Sequence, residues 1–425
     1  MKSKFISAPQ SGSDIAKKRV IEGWAKKILL NKLDGFSRGR LKLVDGDHEM
    51  NFGQTSDDFP IEAVIKIHSP SFYNDLLFGG SIGAAESYIR GCWTSEDIAK
   101  VVRIVILNME MLEDMDSGWS RIKEPLHKLF HFLRKNTRSG SRANIVAHYD
   151  LGNEFYALFL DETMTYSNGI WENDDSTLAE ASIAKYDRIC RKLSLSPNDH
   201  VMEIGGGWGG FAVYAARKYG CRVTTTTISD EQYTYMKDLI KREELEDEVE
   251  IIKKDYREIS GKYEKLVSIE MIEAVGHHYL DVFFQCCGKL LKPNGLMALQ
   301  AITIPDDIYE KHKKSVDFIK RYIFPGSCIP SVAAMADSVR KYSDMRLVHF
   351  EDITPHYVKT LRSWRERFFS NIDRVRKMGF SEEFIRMWEF YLCYCEGSFE
   401  ERYNGDVQMI FAKPLSKREP ILGRI

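Results

Sequence analysis

The chain has 425 residues, enough for two or three domains at the usual size of about 150 residues each. A hydrophobic share of 44% and a charged share of 29% are typical of a globular protein and exclude a disordered or low-complexity chain. The net charge of −2 provides no global positive field, so nucleic acid is excluded as an expected partner.

Neither a membrane span nor a signal peptide is expected. The most apolar run, residues 101–112, is interrupted by charged and polar residues, and the first residues lack an apolar core. Eight cysteines without a Cys-x-x-Cys pair predict reduced thiols in a cytoplasmic protein. The adjacent His277 and His278 would diverge on a helix, so no metal site is predicted.

Residues 1–112 are predicted to form a smaller, mixed α/β accessory domain that contacts lipid or a second copy of the chain. Residues 20–33 have helical spacing, 63–67 alternate like a strand, and 82–89 fit a short helix. The glycines within residues 77–83 predict a turn. No catalytic chemistry is predicted for this domain.

Residues 113–147 are predicted to form a basic linker. Between residues 117 and 142, seven lysines and arginines accompany one acid, and aromatic and aliphatic residues lie between them. A second basic stretch, residues 11–40, has eight basic and three acidic residues. Such segments can lie on an anionic membrane surface, and the alternative is a solvated helix packed on one face. We therefore expect a cytoplasmic protein that associates peripherally with a membrane.

The catalytic domain is predicted for residues 148–425. From about residue 198 strands and helices alternate, which predicts an α/β fold with a parallel, doubly wound, Rossmann-like sheet and ligand sites at the carboxyl ends of its strands. The predicted strands are residues 201–204, 222–228, 249–252, 266–269 and 296–302, with 408–411 closing the same sheet.

A glycine loop follows the first of these strands. It begins at Glu203 and has the pattern acid-x-Gly-x-Gly-x-Gly, which lets the backbone approach a ligand closely. A dinucleotide site would place an acid at the end of the second strand, but none occurs before Asp230. The loop therefore favours S-adenosylmethionine, with a dinucleotide site or a structural turn as alternatives.

Four further motifs stand in fixed order around the glycine loop, at residues 147–156, 164–171, 270–277 and 322–326. Together the five motifs resemble those of the cyclopropane-fatty-acyl-phospholipid synthase family, including its mycolic-acid-modifying relatives. The resemblance covers roughly residues 140–415. It implies an S-adenosylmethionine-dependent methyltransferase fold and an enzyme that transfers a methylene group to the cis double bond of a phospholipid acyl chain. The products would be a cyclopropane acyl chain and S-adenosylhomocysteine.

The implied reaction makes definite demands on the protein. An alkene is a weak nucleophile, so it needs a strong electrophile such as a sulfonium methyl group, and attack leaves a cation on the chain. A base must then remove a proton before the ring can close, in surroundings that exclude water. Aromatic faces can stabilise the cation. Two alternatives stay open: a methylene- or methyl-branched product, and a catalytically degenerate lipid-binding protein that kept the fold. A homodimer is a further open alternative.

The resemblance also assigns the residues that contact S-adenosylmethionine, position by position, including an adenine site after the third strand. These positions are Tyr166, Ser167, Val201, Glu203, Gly205, Gly206, Gly207, Trp208, Gly209, Thr227, Ile228, Ser229, Gln232, Tyr256 and Arg257.

The resemblance further implies a bicarbonate ion held by a Cys, a Glu, a His, an Ile backbone and a Tyr. The Glu and Ile are kept here, whereas three ligands are changed, so bicarbonate is a candidate cofactor in a remodelled anion site. The assigned positions are Asn168, Glu273, Gln300, Ile302 and Arg365. Amide and guanidinium groups can still donate to an anion. We expect Glu273 to accept the proton or to orient the ion that does, with Arg365 paired to one of these anions.

Cys395 matches a cysteine near the carboxyl terminus that the family carries and for which a catalytic role has been proposed. A thiolate would survive poorly beside a sulfonium electrophile. We therefore favour a packing role for Cys395 and retain it as a candidate catalytic residue because of the resemblance.

Overall fold

The computed structural model describes residues 12–114, 151–417 and 421. They fall into two compact units, one with the described residues 12–114 and 381–390 and the other with 151–380, 391–417 and 421. Most of the predicted basic linker lies outside the described residues, and its boundaries stay a prediction. Among the helices that the structure describes, none combines the length and the apolarity needed to cross a bilayer.

The smaller unit contains a mixed sheet with helices around it. Its strands are Gly39–Asp45 (β1), His48–Gln54 (β2), Glu62–Ile67 (β3) and Trp93–Thr94 (β4), and its first helices are Gly12–Leu33 (α1), Ser71–Ile89 (α2), Ile98–Leu107 (α3) and Met109–Asp114 (α4). The strand order is β2-β1-β3-β4, and only β1 and β3 pair in parallel. The predicted mixed α/β character therefore agrees with the structure.

The turn predicted for residues 77–83 is corrected to a kink within α2. Gly80 alone leaves the helical conformation there, with φ of 54°. Gly83 serves close packing instead of a turn, because a Cβ at this position would lie 1.8 Å from the carbonyl oxygen of Asp75. Glycine spacing in the sequence does not distinguish these two uses.

The larger unit is an α/β domain. Its strands are His200–Ile204 (β5), Arg222–Thr226 (β6), Val249–Ile252 (β7), Tyr263–Ile269 (β8), Leu291–Thr303 (β9), Arg346–Asp352 (β10) and Gly405–Ala412 (β11). Its helices are Asn153–Tyr156 (α5), Leu178–Leu193 (α6), Gly210–Tyr219 (α7), Asp230–Arg242 (α8), Ile272–Val275 (α9), Leu280–Leu290 (α10), Asp306–His312 (α11), Val332–Tyr342 (α12), Thr354–Ser370 (α13) and Ile372–Lys377 (α14). Helix α15, Glu382–Glu400, has residues in both units, and short 3₁₀ or π turns lie at Tyr256–Glu258, His277–Tyr279 and Ile319–Ile323.

The seven strands of this unit follow the order β10-β11-β9-β8-β5-β6-β7. The five strands from β9 to β7 are parallel, and β11 pairs antiparallel with both β9 and β10. This confirms the predicted doubly wound fold and the place of residues 408–411 in the same sheet, although β10 and not β11 forms the edge. Edge strand β10 was not predicted, because Leu347, Val348 and Phe350 are exposed and give no buried alternation.

Two buried hydrophobic clusters cover the sheet. One includes Phe283 and Phe284 of α10, and the other includes Ile189 of α6 and Phe211 of α7. Strand β5 lies between β6 and β8, so the chain order reverses beside β5. Ligands in open α/β sheets bind at the carboxyl ends of strands at such a reversal.

Candidate functional site

A cavity of about 290 Å³ lies in the larger unit, where β5, β6, β8 and β9 end. Polar parts of its wall come from the glycine loop and from the residues after β6 and β8. Apolar and aromatic parts come from Ile319, Phe324, Ile329, Tyr394 and Phe399. The volume is close to the lower end of the range for small-molecule sites, roughly 300–1,000 Å³.

The glycine loop forms one wall of the cavity and needs its glycines. Gly205 and Gly207 have φ of 86° and 56°, a conformation that L side chains rarely adopt. A Cβ at Gly206 would lie 1.9 Å from Oγ1 of Thr225. A Cβ at Gly207 would meet no described heavy atom within 4 Å, so this backbone faces open space. The loop therefore leaves room for a ligand to approach the main chain.

Most of the predicted cofactor contacts line this cavity. They are Tyr166, Ser167, Glu203, Gly205, Gly206, Gly207, Trp208, Thr227, Ile228, Gln232, Tyr256 and Arg257. The remaining three are not among its described lining residues: Val201 is fully buried in the core, Gly209 precedes α7 as its N-cap, and Ser229 caps α8 by accepting from the Gln232 backbone N–H. The structure gives these three a supporting place, and their contact with the cofactor stays a prediction.

Glu203 is buried at the end of β5 and accepts a hydrogen bond of 2.6 Å from Oγ1 of Thr225. Burial raises the pKa of Glu203 to about 7, although the Thr225 bond and the Lys185 charge lower it. Lys185 of α6 is also fully buried, and it donates to Oγ of Ser167 over 2.6 Å. Lys185 was not predicted as a site residue, because a lysine in a helix gives no sign in the sequence that it will be buried.

Tyr256 and Arg257 form a flat part of the wall after β7. The Arg257 guanidinium makes two hydrogen bonds to the Asp255 carboxylate, of 2.7 and 2.6 Å, which fix its plane. It also lies over the rings of Tyr256 and Tyr279, 5.4 and 5.1 Å from their centroids. The adenine site is predicted at this fixed, flat surface, and that assignment stays a prediction.

Tyr166 belongs to an aromatic cluster within the cavity wall. Its ring centroid lies 5.2 Å from that of Trp364 and 6.4 Å from that of Phe324. Its hydroxyl is 2.9 Å from that of Tyr391. Aromatic faces of this kind attract cations, which is the property the predicted chemistry requires.

Glu273 lies on α9, just after β8, and lines the cavity. Its Oε1 accepts a hydrogen bond of 2.6 Å from the Ile302 backbone N–H, although the resemblance assigned both positions to a bound anion. Its Oε2 is buried and has no hydrogen-bond partner within the described part of the chain. Burial and then the charge of Glu270 raise the pKa of Glu273 to about 8. Glu273 thus has a free oxygen and a proton affinity suited to work near neutral pH.

This raised pKa predicts a dependence of stability on pH. Between the ordinary value of 4.5 and about 8, the folded protein keeps a proton that the unfolded chain has released, so stability falls as pH rises. Glu273→Gln lacks this titration. From about pH 5 to about pH 8, its free energy of unfolding should therefore rise relative to that of the wild type by on the order of 3 kcal/mol. Urea unfolding of the ligand-free proteins measures this gain. If the variant and the wild type differ in free energy of unfolding by the same amount at both pH values, the assigned pKa is contradicted.

Asn168 and Gln300 are buried beside the cavity and are not among its described lining residues. The Asn168 side-chain amide donates to Asp406 and to the Ile353 carbonyl, and its carbonyl accepts from Thr360. The Gln300 amide donates to Glu270 over 2.7 Å. The prediction that these amides face a free anion is therefore corrected: they contact buried carboxylates of the protein itself.

Arg365 lies elsewhere, because it pairs with the buried Glu396 through Nε and a terminal nitrogen, at 3.0 and 2.9 Å. It is absent from the described cavity lining, so we correct its predicted pairing with Glu273 or a bound anion. Tyr357, about two turns earlier on α13, does line the cavity and donates to Glu270 over 2.7 Å. Tyr357 was not predicted, although Arg365 on the same helix was assigned to the site.

Cys395 lines the cavity. Burial raises the pKa of its thiol well above the usual range, so the group stays protonated and is a poor nucleophile. This agrees with the packing role that we favoured. The eight cysteines that the chain contains are all free thiols in the structure.

Comparison with known proteins shows the family. The family described as mycolic acid cyclopropane synthetase matches residues 136–409. Tuberculostearic acid methyltransferase UfaA1 of Mycobacterium tuberculosis is 36% identical over 332 residues, 76% of this chain and 77% of that protein. Cyclopropane-fatty-acyl-phospholipid synthase of Escherichia coli is 34% identical over 358 residues, 83% of this chain and 88% of that protein.

A solved structure shows the same relationship. Mycolic acid cyclopropane synthase CmaA1, complexed with S-adenosylhomocysteine (SAH) and CTAB, has a TM-score of 0.60 and 31% identity, and the match covers 64% of this chain and 98% of that one. The fold, the glycine loop and this match define an S-adenosylmethionine-dependent methyltransferase. More narrowly, the chain belongs to the mycolic acid cyclopropane synthetase family, which confirms the resemblance found in the sequence.

Proposed function

We propose that this methyltransferase transfers a methylene group to the cis double bond of an unsaturated phospholipid acyl chain. A cyclopropane acyl chain and S-adenosylhomocysteine would result. One observation carries the proposal: a single cavity contains the glycine loop, the carboxylate of Glu273 with a free oxygen, and an apolar aromatic wall. The phospholipid synthase of Escherichia coli, with 34% identity, supports this choice of substrate.

The cavity fits S-adenosylmethionine in its chemistry. When bound, this cofactor supplies an electrophilic methyl group on a positively charged sulfur. The open backbone at Gly207 would contact it, and Thr227 and Gln232 offer polar groups at the end of β6, joined by a hydrogen bond of 2.8 Å. Tyr256 and Arg257 would flank the adenine.

The remaining wall suits an acyl chain and a transient cation on it. Ile319, Ile329 and Phe399 supply an apolar surface that excludes water, which would otherwise trap the cation. The rings of Tyr166 and Phe324 supply electron-rich faces. An apolar surface of this kind carries no positive charge that would repel the cation, and it keeps away the water that would react with it.

Glu273 is the proposed proton acceptor. The methyl carbon added to the chain must lose one proton to Oε2 of Glu273, and the electron pair of that C–H bond forms the last bond of the ring. The free Oε2 gives the proton a destination within the cavity. A pKa raised to about 8 makes this carboxylate a stronger base than an exposed one.

A branched product is the second candidate. Here the cation would lose a proton from a chain carbon, and no ring would form. The relative named tuberculostearic acid methyltransferase favours this outcome, because it is 36% identical over 76% of this chain. A lipid-binding protein without catalysis has less support, since it would have no use for the open glycine loop or for a free buried carboxylate.

Lipid analysis distinguishes these functions. Cells that make the protein should contain acyl chains one CH₂ heavier, which mass spectrometry detects, and cells with Glu273→Gln should not. Cyclopropane rings resist mild hydrogenation, whereas the double bond left in a branched product is reduced. A lipid profile identical to that of cells without the protein would overturn the proposed function.

Access to phospholipid is proposed to use the basic residues between 117 and 142. We expect binding to anionic vesicles to weaken at least tenfold when Arg134, Lys135 and Arg138 are changed to Gln, and to weaken with salt, because exposed charges are screened over about 10 Å at 0.1 M. Vesicle sedimentation measures this. Exposed Lys314, Arg340 and Lys341 provide a control with the same change in net charge. If both triple variants lose vesicle binding to the same extent, the basic residues between 117 and 142 have no specific role in it.

A further inference from the structure

The carboxylate of Glu270 is fixed in the wall of the cavity by three donors. Its Oε1 accepts from the Asn168 backbone N–H over 2.8 Å and from Nε2 of Gln300 over 2.7 Å. Its Oε2 accepts from the Tyr357 hydroxyl over 2.7 Å. Each donor comes from a different part of the chain. The tertiary fold therefore forms an anion site, and the anion that occupies it is a carboxylate of the protein itself.

The same contacts show whether the assigned residues have donors left for a separate bicarbonate ion. Asn168 and Gln300 are the positions that the resemblance assigns to the ion, and in the structure both donate to Glu270. The Asn168 side-chain amide is also engaged, because it donates to Oδ2 of Asp406 over 2.8 Å. The donors that would hold a bicarbonate are thus already bound to carboxylates of the protein, and the residues present do not fit the ion.

The backbone of Glu270 is held in a conformation that a glutamate adopts only at a cost. Its φ is 46°, in the left-handed region that favours glycine. A hydrogen bond of 2.9 Å from its N–H to the Gln300 carbonyl fixes this conformation at the end of β8. Strained residues of this kind persist where the surrounding structure holds them, and they concentrate at functional sites.

The surroundings of the carboxylate are strongly charged. Lys185, Glu273 and Asp406 interact with it electrostatically. Burial raises the pKa of Glu270, and the three donors and the Lys185 charge offset part of this effect. Hydrogen bonds to the ionised form favour that form. The charge on Glu270 in turn helps to raise the pKa of Glu273. In its ionised form, Glu270 adds a negative charge to the cavity and strengthens the neighbouring base.

We propose that Glu270 is a built-in anion that takes the place of a bound bicarbonate and stabilises the positive charge that develops on the acyl chain. This inference rests on the proposed function. It makes Glu273 the proton acceptor and Glu270 its fixed partner, and it removes bicarbonate from the list of cofactors. Wild-type turnover should therefore be the same in buffer freed of carbon dioxide and in buffer with added bicarbonate.

The test uses two variants of the full-length protein. Glu270→Gly removes the carboxylate and suits the positive φ, so folding should be kept. It should lower turnover at least tenfold, and formate or bicarbonate should restore part of the loss by occupying the vacated space. Glu270→Gln fills that space with a neutral group, so it should lose activity without being restored. Carbon-13 NMR with labelled formate provides a readout apart from turnover: binding is expected to Glu270→Gly and not to wild type.

The possible results separate this inference from the proposed function. Product formation by the wild type tests the function alone. A wild type that needs bicarbonate would overturn the built-in anion. A folded Glu270→Gly variant with full turnover would overturn it as well. So would a folded Glu270→Gly variant with low turnover that neither binds formate nor gains activity from it.

Discussion

Glu273→Gln is expected to lower turnover by roughly 10²-fold or more, the range typical for loss of a general base. The change keeps size and hydrogen-bonding capacity, so the bond from the Ile302 backbone can still form. It removes the charge and the free oxygen that accepts the proton. Steady-state assays with S-adenosylmethionine and unsaturated phospholipid measure the loss.

The control for this variant is Glu172→Gln, at an exposed residue outside the described cavity lining. It should keep wild-type turnover. Calorimetry should show that Glu273→Gln still binds S-adenosylmethionine, because the proposed cofactor contacts are other residues. Wild-type turnover in Glu273→Gln would show that the proton leaves by another route.

Gly207→Val is expected to weaken S-adenosylmethionine binding by at least tenfold, about 1.4 kcal/mol. A side chain at this position would project into the open space beside the loop, where the backbone now faces the cavity. Isothermal titration calorimetry of the purified variant measures the affinity. An unchanged dissociation constant in a folded variant would remove the glycine loop from the cofactor site.

Backbone strain alone could mimic this effect, because the φ of Gly207 is 56°. Gly220→Val is the matched control: its φ is 65°, and it ends α7 away from the described cavity lining. A Cβ there would meet only Pro197, at 3.6 Å. The control should lose stability to a similar extent while keeping its affinity for the cofactor.

The parts of the fold that were predicted depend on short stretches of sequence. Strand β5, the glycine loop and α7 are consecutive, so their pattern and conformation can be inferred from about twenty residues. The site residues taken from these stretches, such as Gly207 and Trp208, do line the cavity. The same holds for Tyr256 and Arg257, which directly follow a predicted strand.

The anion site was predicted less well, because its partners are distant in sequence. Arg365 was assigned to a bound anion, but in the structure it pairs with the buried carboxylate of Glu396. Glu270 stands within the motif at residues 270–277, yet only the structure shows its positive φ and its hydrogen bond from Tyr357. Burial of Lys185 is equally invisible in the sequence, since it depends on packing of the whole domain.

The central claim, one-carbon transfer to a lipid double bond with loss of a proton to Glu273, is tested most directly with purified protein. Vesicles of unsaturated phospholipid and S-adenosylmethionine with a trideuterated methyl group are incubated, and the acyl chains are analysed by mass spectrometry before and after hydrogenation. The account predicts acyl chains that gain a CD₂ group in a ring that resists mild hydrogenation. Acyl chains that gain no label, or that keep all three deuterons of the methyl group, would contradict it.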